Sequence, residues 1–196
     1  MQYFDDTIRI ISDALRTVNT DKMELLISQC NKALENGHKI IVSGLGKNVP
    51  ICEKFVGTMV SLGMEACFLH TNSAVHGDMG IVKDNDLVIL LTKSGKTAES
   101  VYLAQHLKKR NITLWLLTFT EDSELSRIVN DSLVISMEHE GDMWNIVPNN
   151  STTLNLIVLQ TVAMNLAKMR NIPMHEFHRN HPGGHIGVLL NEEDKL

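Results

Sequence analysis

The sequence predicts a three-layer α/β/α sandwich built around a five-stranded parallel sheet. Five short apolar runs recur along the chain, and stretches with helical spacing separate them. Strands that are apolar throughout are buried on both faces, which is typical of a parallel sheet covered by helices on each side. The length of 196 residues suits one such unit with a sizeable core.

The elements follow one another in a regular order. Residues about 3–36 have apolar positions at helical spacing, and Asn36-Gly37 is a typical signal for the end of a helix. We expect strands at 39–43, 66–69, 86–92, 112–118 and 132–136, and helices at about 48–62, 97–110, 122–129 and 151–170. The chain should form a single domain, with N-terminal helices about 3–36, a parallel α/β core about 38–170 and a C-terminal tail about 171–196.

The composition argues against several classes of function. The net charge of −5 and the lack of a run of Lys and Arg argue against a nucleic-acid partner. The longest apolar runs are too short to span a membrane, and no signal peptide is visible at the N-terminus. Three cysteines without a Cys-x-x-Cys pair are typical of free thiols in a reducing compartment. We therefore expect a cytoplasmic protein with no membrane partner.

Glycine and hydroxyl residues follow the predicted strands. The first strand runs into Ser43-Gly44-Leu45-Gly46-Lys47, and the third runs into Thr92-Lys93-Ser94-Gly95-Lys96-Thr97. Ligands of open parallel sheets bind beyond the carboxyl ends of the strands. Backbone N–H groups, hydroxyl groups and a helix N-terminus together favour phosphate. The residues expected to bind it are Ser43, Gly44, Ser94, Gly95 and Thr97.

The familiar cofactor and metal motifs do not fit. A dinucleotide-binding turn would need glycine at Val49, and a P-loop would need glycine at Leu90. The histidines of the tail could suggest zinc, but Pro182-Gly183-Gly184 interrupts any helix that would align them. We expect neither a cofactor nor a required metal.

Five motifs occur in an order that resembles a known family. They are Ser43–Lys47, Val75-His76-Gly77-Asp78-Met79-Gly80, Ser94–Glu99, Pro148–Thr153 and His181-Pro182-Gly183-Gly184-His185-Ile186-Gly187. This order is similar to the SIS (sugar isomerase) domain of arabinose-5-phosphate isomerases, and the resemblance covers nearly the whole chain. It implies an aldose–ketose isomerase that interconverts arabinose 5-phosphate and ribulose 5-phosphate through an enediolate, without a cofactor. Family members usually carry a pair of CBS domains next, so the resemblance is to a form lacking that pair.

The resemblance also implies the site residues. The catalytic set that it places in this sequence is Lys47, His76, Glu99, Glu140 and His181. His70, together with His76, matches a metal site that inhibits relatives and is not required by them. The chemistry needs a base, a proton shuttle and a cation for the oxyanion. Lys47 supplies the cation, while the base could be a histidine or a glutamate.

Two loops depart from the family's usual pattern. Lys93 and Lys96 stand where Asn and Glu are usual, and Asn48 stands where Ser is usual. These changes leave open an isomerase for a heptose, hexulose or amino-sugar phosphate. A sugar-phosphate sensor that binds without turnover is an alternative of another class, although the set of His and Glu residues favours an enzyme.

The resemblance extends to assembly and pathway. Its members are usually homotetramers with active sites at subunit interfaces, and histidines in a C-terminal tail fit such an interface. Arabinose 5-phosphate as the substrate would imply the first step toward the eight-carbon acid sugar of lipopolysaccharide or capsule.

Overall fold

The computed structural model describes residues 2–193, with side chains as far as residue 190. Five parallel strands form one sheet in the order β2-β1-β3-β4-β5. They are β1 (Ile40–Gly44), β2 (Ala66–Phe68), β3 (Leu87–Leu91), β4 (Thr113–Thr118) and β5 (Asp131–Val134). The predicted fold class is confirmed, and each strand lies within two residues of its expected bounds.

Helices surround the sheet. They are α1 (Gln2–Arg16), α2 (Thr20–Glu35), α3 (Asn48–Ser61), α4 (Thr71–Ala74), α5 (Ala98–Leu107), α6 (Asn150–Met169), α7 (Met174–Asn180) and α8 (Gly184–Glu193), with a 3₁₀ helix at Asp78–Ile81. Helix α2 ends as expected, because Gly37 follows it with a φ of +75° that glycine adopts without strain. None of the helices in the described part of the chain is long and apolar enough to cross a membrane.

Each face of the sheet carries its own apolar core. Alternate residues of a strand point to opposite faces, so Ile40 and Val42 pack with α2, α3 and α6 while Ile41 packs on the other side. On that second face, Leu103 and Leu107 of α5 cover the sheet. The continuous apolar strands therefore reflect burial on both faces, as the sequence predicts.

The topology creates a crevice between β1 and β3. From β1 the chain crosses to β2 at the edge of the sheet, and it then returns to place β3 on the other side of β1. The connections that leave β1 and β3 therefore diverge. A switch point of this kind opens a binding crevice beyond the carboxyl ends of the two strands.

The helix expected at 122–129 is absent, and that prediction was wrong. The backbone N–H of Ser123 donates to the hydroxyl of Ser126, and the N–H of Ser126 donates to the hydroxyl of Ser123, at 2.9 and 3.1 Å. The N–H of Leu125 donates to the carbonyl of Gly95 at 3.1 Å. Serine hydroxyls and a distant carbonyl thus take the partners that a helix would need.

The three cysteines are free thiols, as expected. Cys30 and Cys52 are buried, and Cys67 is half-buried. Burial raises the pKa of the Cys52 thiol to about 12, so this side chain stays protonated and packs as a small apolar residue.

Candidate active site

The turn after β3 is shaped to receive an anion. Gly95 has a φ of +64°, and its N–H donates to the Thr92 hydroxyl at 3.3 Å. A Cβ atom at this position would lie 2.2 Å from Oγ of Ser123, so only glycine fits. Thr97 then precedes α5 without capping it, which leaves the first N–H groups of that helix open.

A cavity of about 430 Å³ lies against the first turn of α5. His76 comes from the loop after α4 and Glu99 from α5, and both side chains are exposed and line this cavity. Thr71 and Tyr102 are among the other residues that line it. The structure therefore brings together two titratable groups of the predicted catalytic set, directly beside the candidate phosphate turn.

Lys47 lies in a neighbouring cleft of about 220 Å³, at the carboxyl ends of β1 and β3. The cleft runs between the loop before α3 and the N-terminus of α6, and Lys93 and Ser151 line its opposite wall. Within residues 2–190 the Lys47 ammonium group has no ionic or hydrogen-bonding partner. An unpaired cation in a polar cleft is suited to bind a substrate oxygen.

Glu140 is buried beneath this cleft and is 0% exposed. Its Oε1 accepts hydrogen bonds from Lys93 Nζ and from the Ser151 hydroxyl, both at 2.7 Å. Its Oε2 accepts from the backbone N–H groups of Ser151 and Asn149 at 2.9 and 3.1 Å. The carboxylate thereby caps α6, because it accepts two of the N–H groups at the start of that helix.

These contacts keep Glu140 ionised. Burial by itself would raise the pKa of the carboxyl, but the hydrogen bonds from Lys93, Ser151 and Asn149 outweigh it and lower the pKa below the ordinary value of 4.5. A carboxylate that already accepts four hydrogen bonds is poorly suited to take a proton from a substrate at neutral pH.

Three other predicted residues occupy less open positions. The Ser43 side chain is buried, and its hydroxyl lies 3.0 Å from that of Thr71. Gly44 allows α3 to approach the strand, because a Cβ atom here would lie 2.8 Å from Cβ of Asn48. The Nδ1 atom of His70 accepts the N–H of Asn72 at 3.3 Å, at the start of α4.

His70 lines a cavity next to the one that holds His76. Over the part of the chain with described side chains, no group of three or more His, Cys, Asp or Glu residues is arranged to hold a metal ion. The inhibitory metal site at His70 and His76 stays a prediction.

His181 lies apart from the rest of the predicted set. The side chain of Asn180, its neighbour in sequence, donates to the carbonyl of Ser61 at 3.3 Å, where α3 ends. Helix α3 begins at the cleft and has 14 residues, so its far end is about 20 Å away. The ring of His181 packs on Phe177, with centroids 4.0 Å apart. One chain alone does not bring His181 to His76.

Lys93 and Asn155 are among the residues of the cleft that did not enter the predicted site. Lys93 departs from the family pattern, and its position directly after a predicted buried strand is the signal that could have identified it. Asn155 lines the same cleft from α6, where it interrupts the apolar run Leu154–Leu159. A polar side chain on the buried face of a helix has to find a partner, and that expectation could have identified it.

The chain is a parallel α/β protein that has a glycine-containing hydroxyl turn and an uncapped helix N-terminus at its switch point. This arrangement is typical of α/β proteins that bind anions. Comparison with known proteins gives the family. The SIS domain matches residues 33–165, which is more than half of the chain. The chain therefore belongs to the SIS domain family, as the order of its motifs predicted.

Individual relatives agree with this assignment. The arabinose 5-phosphate isomerase KdsD of Pseudomonas aeruginosa is 32% identical over 192 residues, which cover 97% of this chain and 59% of the relative. An uncharacterized protein of Helicobacter pylori is 30% identical over 186 residues, with 95% and 56% covered. The chain thus spans a little over half the length of these curated relatives.

A solved structure supports the same fold. An Escherichia coli CFT073 protein in complex with arabinose 5-phosphate matches with a TM-score of 0.83 and 29% identity, covering 92% of this chain and 94% of that one.

Proposed function

We propose that this protein is an aldose–ketose isomerase that interconverts arabinose 5-phosphate and ribulose 5-phosphate. The observation that carries the proposal is that His76 and Glu99 line one cavity beside an open helix N-terminus. The names of the P. aeruginosa relative and of the E. coli complex support this choice of sugar. The phosphate would bind Ser94, Gly95 and Thr97, and Ser43 and Gly44 would shape the floor.

The proposed reaction needs only acid–base groups and a cation. From ribulose 5-phosphate, a base removes a proton from C1, and the electron pair of that C1–H bond forms a C1=C2 double bond. The π pair of the C2 carbonyl moves onto its oxygen, which gives a cis-enediolate. Transfer of the O1 proton to O2 moves the charge to O1. Protonation of C2 then forms the new C–H bond as the carbonyl forms at C1.

We assign the proton transfers at C1 and C2 to His76 and Glu99, because both side chains open onto the cavity. Lys47 lies in the adjoining cleft, where its ammonium group would stabilise the oxyanion. Glu140 would influence the site without contacting the substrate, since its carboxylate is buried beneath the cleft and fully hydrogen-bonded. No redox cofactor enters this sequence of steps.

The test is turnover of ribulose 5-phosphate by the purified protein with a chelator present, and NMR monitors the sugar phosphates. We expect arabinose 5-phosphate to form, and His76→Ala to slow its formation at least about 100-fold, the loss typical of a missing acid–base group. His38→Ala is the matched control, because His38 lies at the amino end of β1 and should leave the rate unchanged. Binding without turnover would contradict the proposal and favour a sensor.

We further propose that a partner subunit supplies His181 to the site, in a cytoplasmic homotetramer. Large apolar side chains remain exposed on α1 and on the loop before α6, which favours burial in an assembly. They include Phe4 at 65%, Met143 at 81% and Ile146 at 72% exposed. The proposed product places the enzyme at the start of a route to the acid sugar of lipopolysaccharide or capsule.

Mixed oligomers test this assembly. His76→Ala and His181→Ala should each be inactive alone, whereas their mixture should regain activity at about a quarter of the sites if the two histidines come from different chains. Recovery requires that the subunits exchange, which denaturing and refolding the mixture ensures. A mixture as inactive as its components would contradict the shared site.

A further inference from the structure

The backbone of Lys93 is held rigidly at the carboxyl end of β3. Its carbonyl oxygen accepts the N–H of Phe119 at 3.2 Å. The hydroxyls of Thr118 and Thr120 donate to the same oxygen at 3.2 and 3.1 Å. Three donors from the end of β4 thus fix the point from which the Lys93 side chain extends.

The far end of the Lys93 side chain is fixed as well. Its ammonium lies 2.7 Å from Oε1 of Glu140, a carboxylate that is itself held by the N-terminus of α6. The Glu140 side chain is 0% exposed, whereas that of Lys93 is 45% exposed over the cleft. An ammonium group has three N–H donors, and Glu140 is its one partner within residues 2–190. Two donors remain for a ligand.

The same cleft contains a buried amide oxygen, that of Asn155. Asn155 is 2% exposed, and its Nδ2 donates to Oδ1 of Asn48 at 2.9 Å. Its own Oδ1 has no hydrogen-bond partner among the described residues, although it is buried. Buried polar atoms in folded proteins are almost always paired. A hydroxyl group of a ligand in the cleft would supply the missing donor.

We propose that Lys93 is a further catalytic residue whose ammonium donates to the enediolate oxyanion opposite Lys47, with Glu140 as its positioning residue. This inference rests on the proposed isomerase function. The Lys93–Glu140 pair has no net charge, so its contribution is an oriented N–H donor. Donors fixed before the reaction stabilise developing charge without reorganising. The amide oxygen of Asn155 accepts a hydroxyl of the same sugar.

A structural ion pair is the rival explanation, and the chain offers a matched control for it. At the amino end of β3, Lys39 Nζ lies 2.7 Å from Oδ2 of Asp86, a side chain that is 1% exposed. Removing the charge of Lys39 or of Lys93 therefore breaks the same kind of pair at opposite ends of the sheet. Only the second change removes a donor from the cleft.

The experiment compares Lys93→Met, Lys93→Arg and Lys39→Met with the parent. Each is assayed for kcat and KM with ribulose 5-phosphate, for thermal unfolding, and for binding of a phosphorylated four-carbon hydroxamate that mimics the enediolate. An interaction made in the transition state lowers kcat with little effect on KM. We expect Lys93→Met to lower kcat about 100-fold and to weaken binding of the hydroxamate at least tenfold. Its KM should stay within about threefold of the parent's value. Lys93→Arg should retain part of the activity.

Other outcomes overturn the inference. A kcat for Lys93→Met within about threefold of the parent, or an equal loss in Lys39→Met, would show that the pair is structural. If the parent turns over no sugar phosphate but binds the hydroxamate through Lys93, the isomerase function and the catalytic role of Lys93 are refuted. The contact between Lys93 and a ligand would still hold. A parent that neither turns over substrate nor binds the hydroxamate would overturn both proposals.

Discussion

The two ends of the sheet contain buried carboxylates with the same kinds of partner. At the amino end, Asp86 accepts from Lys39 Nζ at 2.7 Å and from the backbone N–H groups of Lys39 and Lys83 at 3.1 and 2.7 Å. At the carboxyl end, Glu140 accepts from Lys93 Nζ and from two N–H groups of α6. Each carboxylate ties together segments that are distant in sequence.

What differs is the surroundings of the lysine. Lys39 is 21% exposed beside the start of β1. Lys93 is 45% exposed and shares a cleft with Lys47 and Asn155. The Lys47 ammonium group and the Asn155 amide oxygen have no partner among residues 2–190. The same arrangement of charges therefore stabilises the fold at one end. At the other end it also places a donor where a ligand can reach it.

The largest expected effect separates the two carboxylates. Glu140→Gln should lower kcat at least about 100-fold, because Lys93 loses its fixed position. The substitution should also lower the free energy of unfolding in urea by about 2 kcal/mol, since hydrogen bonds to a charged group are lost. Asp86→Asn should cost about the same stability and leave kcat within about threefold. Equal losses of kcat in the two variants would contradict the claim that only the carboxylate at the carboxyl end of the sheet contributes to catalysis.

Glycine turns give the next contrast. Gly95→Ala should raise KM more than tenfold and lower stability by about 2–3 kcal/mol, because the new Cβ atom meets Ser123 and the φ is positive. Gly37→Ala has a similar φ of +75° but open space around it, so it should cost only about 1 kcal/mol. Urea unfolding and steady-state kinetics measure both. A normal KM in Gly95→Ala would remove this turn from the phosphate site.

Two of the buried amide oxygens that lack a partner among the described residues, those of Asn155 and Asn31, sharpen the comparison further. Asn155→Ala should raise KM about fivefold, because one hydrogen bond to a sugar hydroxyl is lost. Asn31 of α2 also has a buried Oδ1 without a partner among the described residues, but it lies outside the cleft. Asn31→Ala should therefore leave KM unchanged. If both variants behave alike, the Asn155 oxygen has no role in substrate binding.

The smallest effect is a pH dependence of stability. The pKa of Glu140 is lowered in the folded protein, so its contribution to stability is complete above its unfolded value near 4.5 and is lost as the pH falls through the folded pKa. The free energy of unfolding should therefore fall less steeply below pH 4.5 in Glu140→Gln than in the parent. Urea titrations at several acidic pH values measure the two slopes, and identical slopes would contradict a lowered pKa.

Much of the fold was predictable from local patterns. Apolar runs such as Leu87–Leu91 identified the strands, because a strand buried on both faces has to be apolar throughout. Asn36-Gly37 marked the end of α2, since few residues adopt a positive φ. The segment 122–129 was predicted incorrectly because its serines bond one another and a distant turn. Periodicity does not report contacts of that kind.

Local sequence patterns were enough to predict the sheet and the turn at Ser94–Thr97, because strand burial and turn conformation depend on neighbouring residues. The family resemblance supplied the predicted titratable residues. How these residues are grouped could be read only from the folded chain. The tertiary structure placed His76 with Glu99, buried Glu140 under Lys93, and set His181 at the far end of α3. Such groupings depend on which distant segments pack against each other, and spacing along the chain contains no measure of that distance.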